Sequence, residues 1–517
     1  MTDDAARPER SDGLERPNGS SRRRTEQARG TAATLLRRAR ERLWRFDAHL
    51  VASEPQRATA SIIVAATVVF VPLFSAWQVT NAAAGKTKPL SAATSPLITP
   101  KDPVLSIRRV ARTAAIEARV ANLRSTLATY AGSLPAGSCL MAVADTRAVA
   151  SVNATTPVVP ASNMKLLVAA AALDVLGPDH RFETTLVGSR DGATITGDLW
   201  LVGGGDPVLS TRAYPATQRY STASPTYLDA LADEIAASGV TIVAGSVVGD
   251  ESRYDTERYV PTWGDGIRAI EAGPLSALMV DDGILLGEPL KPANPAIGAA
   301  TALTRLLTAR GVAVVGAPRS GTAPSGGTEL ARLASAPLTS ILADMLTNSD
   351  NNVAELLLKE IGLVRAQSPT RVAGLRAVAD VLTARGVSME GVVLADGSGL
   401  DAGNRLTCET LTSLLDIYGL DSPIGQGMAI AGTTGTLQDV LTTGPAAGRV
   451  RAKTGTLRNV KSLSGFFPTK GGSITFALVL NDAGAANQSE YRPLWVDLMK
   501  GLATYRESPQ EEQLLPR

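Results

Sequence analysis

The stretch Pro160-Ala161-Ser162-Asn163-Met164-Lys165-Leu166-Leu167-Val168-Ala169-Ala170-Ala171 decides how the rest of the chain is read. A serine and a lysine three residues apart at the start of a helix lie on one face, about one turn from each other, so the amine reaches the hydroxyl. Pro160 and Ala161 end an extended run, and the Ala- and Leu-rich segment after Lys165 is strongly helix-forming, which puts Ser162 in the first turn. There the unsatisfied N–H groups and the positive helix end favour developing negative charge. If the apolar helix is buried, Lys165 is partly desolvated, its pKa falls, and it can act as a base instead of a fixed cation. Taken alone, so short a pattern reads first as an N-capping serine followed by a surface lysine, so the remainder of the chain has to decide.

At 517 residues the chain calls for two or three domains. A net charge of +2 with 19% charged residues makes no case for nucleic-acid binding. Arginine greatly outnumbers lysine, so each lysine inside a motif carries more weight. The two histidines, His49 and His180, leave almost nothing from which to build a Ser-His-Asp hydrolase or a His-rich metal site. Cys139 and Cys408 are too few for a disulfide scaffold and wrongly spaced for zinc; one bridge or two separately buried thiols both fit.

Residues 1–57 are polar and Arg-rich and read as a disordered cytoplasmic leader, within which 31–50 has the pattern of a basic amphipathic helix. An uncharged apolar run follows, with Ile62, Val64, Val68, Phe70 and Leu73, and residues 58–80 are expected to span the membrane. Basic residues crowd before this run, so the N-terminus is expected in the cytoplasm and everything after it outside. Residues 81–105 read as a linker, 106–130 as a helix, and 138–144 with 148–152 as a hairpin turning at Asp145-Thr146-Arg147. The helix from Ser162 comes next. Residues 182–187 and 194–202 read as a strand pair; its glycines, Gly203-Gly204-Gly205, fail the dinucleotide fingerprint because Pro207 breaks the run. Further strands are expected at 241–248, 284–286 and 312–315, and helices at 227–238 and 298–310, so that 182–330 is an inserted α/β domain. Helices at 338–345, 353–361, 372–385, 408–417 and 491–505 and strands at 462–467 and 474–480 fill 331–507, before a loose tail at 508–517.

Three triplets carry the chemistry. Ser162-x-x-Lys165 at a helix start, Ser349-Asp350-Asn351 between two helices and Lys453-Thr454-Gly455 at a strand edge occur in the order found in penicillin-binding proteins and class A β-lactamases. The longer runs Ser349-Asp350-Asn351-Asn352-Val353-Ala354-Glu355, Asp396-Gly397-Ser398-Gly399-Leu400, Gly435-Thr436-Leu437 and Lys453-Thr454-Gly455-Thr456-Leu457 resemble the class C low-molecular-mass penicillin-binding proteins. Those are D-alanyl-D-alanine carboxypeptidase/endopeptidases, and the resemblance covers roughly residues 106–505.

The resemblance implies a transpeptidase-like α/β (α+β) fold, an antiparallel sheet with a helical subdomain and an α/β insertion, and a serine DD-peptidase needing neither cofactor nor metal. Ser162 is then the nucleophile and Lys165 its base. Ser349 and Asn351 face Lys165 and the substrate amide, with Ser349 relaying a proton to the leaving group. Lys453 sets a positive potential, Thr454 and Thr456 beside Gly455 bind the terminal carboxylate, and the N–H groups of Ser162 and Thr456 form the oxyanion hole. The implied partners are peptidoglycan stem peptides, β-lactam antibiotics and the cytoplasmic membrane. Many relatives have a longer stretch between nucleophile and Ser349, so one inserted domain is expected here, not two. A β-lactamase, or a weak wall-binding or β-lactam-sensing protein, are the alternatives.

Overall fold

The computed structural model describes residues 107–507, apart from 219, 221, 222 and 471. The leader, the apolar segment at 58–80, the linker and the tail lie outside the described residues. Among the described residues no helix is long and apolar enough to cross a membrane.

Helix α1 (Ile107–Ala131) leads into the hairpin of β1 (Cys139–Ala144) and β2 (Arg147–Val152). A single 3-10 turn (Ala161–Asn163) then opens α2 (Met164–Leu176). This helix is apolar on every side and is buried from Met164 to Ala172, which marks it as the centre of a core and not a surface element.

The chain leaves this body at Phe182 and returns at Ser335, where the two backbones are tied by Ser335 N donating to Phe182 O at 2.9 Å and Phe182 N to Ser335 Oγ at 3.0 Å. Between them lie β3 (Glu183–Val187), β4 (Leu199–Val202), α3 (Asp229–Ala237), β5 (Val247–Asp250), α4 (Pro295–Thr308), β6 (Arg319–Ser320) and β7 (Glu329–Ala334). The strands form a mixed sheet in the order β6-β5-β4-β3-β7, packed on α3 and α4 around a core of its own. Two expected strands, 194–202 and 241–248, are each broken. Their first parts (Thr194–Ile195 and Ile242–Val243) pair in a separate small sheet, and their second parts are β4 and β5. The breaks adjoin: Gly245 N donates to Gly197 O at 2.7 Å, and Gly197 sits at φ 95°, a left-handed conformation that lets the chain step between sheets. The expected strand at 284–286 is instead a run of turns after the 3-10 turn Asp281–Gly283.

The second half supplies α5 (Leu338–Asn348), α6 (Asn351–Ala366), α7 (Arg371–Ala384), α8 (Cys408–Tyr418), β8 (Ala429–Ile430), β9 (Arg451–Leu457), β10 (Val460–Thr469), β11 (Gly472–Asn481) and α9 (Gln488–Glu507). With the first hairpin they complete a six-stranded antiparallel sheet, β8-β9-β10-β11-β1-β2. Its two faces follow the two-residue period of the strands: Leu140, Leu463, Phe476 and Leu478 meet α1 and α9, whereas Cys139, Phe466, Ala477 and Val479 meet α2, α5, α6 and α8. Cys139 on β1 and Cys408 at the start of α8 form a disulfide, with Cα atoms 5.9 Å apart, which resolves the alternatives open in the sequence.

Candidate active site

Ser162 occupies the 3-10 turn just before α2, one step earlier than the α-helical first turn expected from the sequence. That turn is clamped from two sides. Ala161 sits at φ 50° and is fully buried, a strained conformation for a residue with a Cβ. Ser462 Oγ donates to Pro160 O at 2.9 Å and Asn163 Nδ2 to Ser464 Oγ at 2.8 Å, fixing the turn to β10. Gly455 on β9 and Gly399 in the loop after Asp396 press on the same turn. A Cβ at Gly455 would lie 2.2 Å from Ser462 Oγ, and one at Gly399 would lie 1.9 Å from Ala161 O.

Lys165 is fully buried, so the surface-lysine alternative fails. Its Nζ donates to Ser162 Oγ at 3.0 Å, Asn351 Oδ1 at 2.7 Å and Ser398 O at 2.6 Å. Burial lowers its pKa to about 8, and the neighbouring acidic groups of Asp396, Asp350, Glu355 and Glu271, so far as they are ionised, pull the other way without cancelling this. The amine therefore holds a hydroxyl, an amide oxygen and a carbonyl in place while being able to take a proton near neutrality.

The middle triplet divides its labour. Asp350 caps α6, its carboxylate accepting from Val353 N at 2.9 Å; burial, then Asp282, raises its pKa to about 7. Ser349 ends α5 at φ 65°, which turns its hydroxyl to accept from Lys453 Nζ at 2.8 Å. The expectation that both Ser349 and Asn351 engage Lys165 is met by Asn351; Ser349 is bonded to the other lysine. Asn351 Nδ2 donates to the backbone oxygen of Glu271, so a segment of the inserted domain closes one side of the site.

Lys453 is also fully buried and donates to Thr454 O at 2.7 Å. Desolvation, followed by the neighbouring Lys165 and Lys461, pushes its pKa well down, which works against the positive potential the family resemblance implies. Strand β9 is paired with β8 only at Arg451 and Ala452, so beyond them its outer edge faces the Ser162 turn. Thr454, Gly455 and Thr456 line a cleft of about 570 Å³ together with Ser162, Ser349 and Asn351. Thr454 Oγ1 donates to Thr436 Oγ1 at 2.8 Å. All eight residues singled out in the sequence thus converge on one place.

Three contributors were not singled out. Glu355, in the quoted Ser349-to-Glu355 run, accepts from Gly397 N at 3.0 Å and Ser398 N at 2.7 Å and so aims Ser398 O at Lys165; burial, then Asp396, raises its pKa to about 8. Asp396 accepts from Gly399 N, Asn404 Nδ2 and Trp263 Nε1, holding the same loop. Lys461 donates to Thr456 Oγ1 at 2.8 Å, and the register of the β9–β10 hairpin, readable from the two strands and their turn, was the signal for it.

A family model described as the D-Ala-D-Ala carboxypeptidase 3 (S13) family matches residues 120–293 and 286–501. The D-alanyl-D-alanine carboxypeptidase of Actinomadura sp. (strain R39) is 32% identical over 62% of this chain and 73% of its own length. A carboxypeptidase of Mycobacterium tuberculosis is 34% identical over 63% and 72%, respectively. The crystal structure of penicillin binding protein 4 from Haemophilus influenzae, also solved in complex with a β-lactam, superimposes with a TM-score of 0.60 at 22% identity, covering 74% of this chain and 98% of that one.

Proposed function

The chain belongs to the D-Ala-D-Ala carboxypeptidase 3 (S13) family and is a serine peptidase, and on that premise we propose that it removes the terminal D-alanine from peptidoglycan stem peptides through an acyl-enzyme on Ser162. The observation that carries this reading is the buried amine of Lys165, with its lowered pKa, 3.0 Å from the Ser162 hydroxyl. Neutral Lys165 takes the hydroxyl proton as Ser162 Oγ attacks the carbonyl carbon of the penultimate residue. The N–H groups of Ser162 and Thr456 receive the developing oxyanion. As the C–N bond breaks, the leaving amine takes the proton that Lys165 removed from Ser162, relayed by Ser349, which Lys453 orients at 2.8 Å, and Lys165 is left neutral again. Thr454 and Thr456 hold the terminal carboxylate. Water, deprotonated by the same lysine, then releases the acyl group. The same nucleophile opens a β-lactam ring, and cleavage of cross-links follows the same course with a longer leaving group.

The reading includes a place for this chemistry: outside the cytoplasmic membrane, tethered by the apolar run at 58–80. The Cys139–Cys408 disulfide supports an oxidising compartment.

Incubation of the full-length protein with benzylpenicillin, followed by intact-mass and peptide-mass measurement, tests the mechanism. The expected result is one stoichiometric penicilloyl adduct on the peptide containing Ser162, absent in Ser162→Ala, with release of D-alanine from a D-Ala-D-Ala peptide by the wild type alone. An adduct that survives Ser162→Ala would sink it.

A further inference from the structure

Two asparagines, Asn351 and Asn352, open α6, and each grips the same short stretch of the inserted domain. Asn351 Oδ1 accepts from Lys165 Nζ at 2.7 Å, while its Nδ2 donates to Glu271 O at 2.9 Å. Two residues further on, Gly273 N donates to Asn352 Oδ1 at 2.7 Å, and Asn352 Nδ2 donates to Asp282 Oδ1 at 2.9 Å. Lys291 Nζ takes the carbonyl of the same glycine, donating to Gly273 O at 2.9 Å. A line of hydrogen bonds thus runs from Lys165 to Asp282 through two side chains and the backbone of residues 271–273.

Asp282 is anchored in its turn. Its Oδ2 accepts from the Tyr214 hydroxyl at 2.8 Å and from Gln218 Nε2 at 3.2 Å. It stands at φ 54° and ψ 30°, directly after Asp281 at φ 54°. Two successive residues with a Cβ in the left-handed region are costly, and such a turn persists only where its surroundings over-determine it. Asp281 supplies part of that constraint, its carboxylate accepting from Thr211 N at 2.6 Å and Thr211 Oγ1 at 2.8 Å.

An amide is directional: reversed, it presents an NH₂ where an oxygen stood. Reversal of Asn351 would set its NH₂ against Lys165 and its oxygen against Glu271 O, so the Glu271 carbonyl decides which atom the amine meets. Reversal of Asn352 would set a donor against the Gly273 N–H and an oxygen against the Asp282 carboxylate. Asn352 is 6% exposed, which leaves little water to replace a lost partner.

We infer that Asn352 and Asp282 are positioning residues for the acylation step: they hold segment 271–273 where the Glu271 carbonyl keeps the Asn351 oxygen on Lys165, so that the inserted domain sets the orientation of the base. The inference rests on the proposed peptidase reading and adds to it two residues that do not line the cleft.

The test measures acylation of the full-length protein by a chromogenic cephalosporin, resolved into the initial dissociation constant and the acylation rate constant per Ser162 that benzylpenicillin titrates. Asn352→Leu removes both bonds at nearly constant volume. Its acylation rate constant should fall about tenfold with the dissociation constant within about twofold of wild type, because Asn351 acts on Lys165 and not on ligand affinity. In the Asn351→Ala background the same replacement should change the rate by less than about twofold, since the part it positions is gone. Asn352→Asp keeps the acceptor for Gly273 N but sets a second carboxylate against Asp282, and it should be slow; Asp282→Asn added to it exchanges donor and acceptor between the two positions and should restore most of the rate. That exchange decides the matter where Asn352→Leu does not fold, and thermal unfolding of each variant identifies that case. An Asn352→Leu protein acylated at the wild-type rate, or slowed equally with and without Asn351, or an exchanged pair as slow as Asn352→Asp alone, overturns the positioning role and leaves the peptidase intact. Wild type that takes no acyl group from either β-lactam overturns the peptidase reading itself.

Discussion

The proposed mechanism turns on Lys165, whose environment predicts how activity depends on pH. Its pKa is lowered to about 8 by burial, so the amine is mostly protonated at neutrality and mostly free above 8. Since a base works only when unprotonated, the acylation rate of Ser162 should rise close to tenfold per pH unit below about 8 and level off above it. Stopped-flow acylation by a chromogenic β-lactam between pH 5.5 and 9.5 measures this, and a profile flat across that range rules Lys165 out as the base. Lys165→Arg, whose guanidinium does not give up its charge, should slow acylation by about 10²–10⁴-fold. Gly455 is the residue where geometry and rate separate. An added methyl lies 2.2 Å from Ser462 Oγ, 2.9 Å from Pro160 O and 3.0 Å from Ala161 Cβ, so β9 has to retreat from the Ser162 turn. Gly455→Ala should cost about 1–3 kcal/mol of stability, as overpacking does, yet about 100-fold in acylation rate, because Ser162 and the proposed oxyanion donors shift relative to each other. Chemical denaturation and acylation kinetics on the same preparation distinguish the two effects.

At the scale of elements, the connection between α6 and the loop at 396–400 controls where Lys165 points. Glu355 Oε1 takes two backbone N–H groups of that loop, and Oε2 is buried without a partner. A carboxyl in that position keeps its proton, and its pKa rises from an ordinary 4.5 to about 8. Between those values the folded state holds a proton that the unfolded state has released, so this group's contribution is fully present below pH 4.5 and is lost as the pH rises through about 8. Glu355→Gln keeps the acceptor without the titration and should flatten that alkaline loss in urea unfolding measured from pH 5 to 9. Glu355→Ala strands two N–H groups and should cost about 1–3 kcal/mol at every pH. Because Glu355 titrates in the same window as Lys165, the acylation profile of Glu355→Gln also shows which group shapes it; the midpoint should stay near 8.

Elements of this kind were unevenly legible in the sequence. Helices α5 to α8 announced themselves through apolar period and capping residues, as with Asp350 and Thr407, whose side chains accept N–H groups of the helices they open. The split strands did not, because Val and Ile on both sides of Gly197 and Gly245 read as continuous runs, and only packing of the two glycines against each other sends the halves to different sheets. Ser162, Lys165 and the two later triplets were legible because their spacing is local. Glu355 was visible as a letter in a motif but had no readable role, since its partners at Gly397 and Ser398 are 42 and 43 residues away and joined only by the fold. The same reason hid the pairing of Ser349 with Lys453 across 104 residues.

The molecule as a whole is organised so that its parts brace the cleft from several directions. The inserted domain does more than sit on its stem at Phe182 and Ser335. Arg253 and Tyr254 bond the buried carboxylate of Glu360 on α6, Lys359 pairs with Asp255, Arg371 with Glu257, and Trp263 with Asp396, while Glu271 accepts from Asn351. The disulfide acts across another boundary, joining β1 in the sheet to α8 in the helical layer, and the chain between Cys139 and Cys408 contains the Ser162 turn with α2, the whole inserted domain and the Ser349 turn. A bridge closing so long a loop restricts the unfolded chain far more than the folded one, and its loss should lower stability by about 2–5 kcal/mol. Alkylation of the full-length protein in denaturant without reductant should label no cysteine, and with reductant should label both. The Cys139→Ser/Cys408→Ser protein should unfold at lower denaturant yet, while folded, be acylated at a rate close to wild type, since both sulfurs lie under the sheet and outside the set of groups lining the cleft. Two alkylated thiols in the unreduced protein would show that the bridge does not form, and an equal fall in acylation and stability would show that the bridge shapes the site itself and not only the body that carries it.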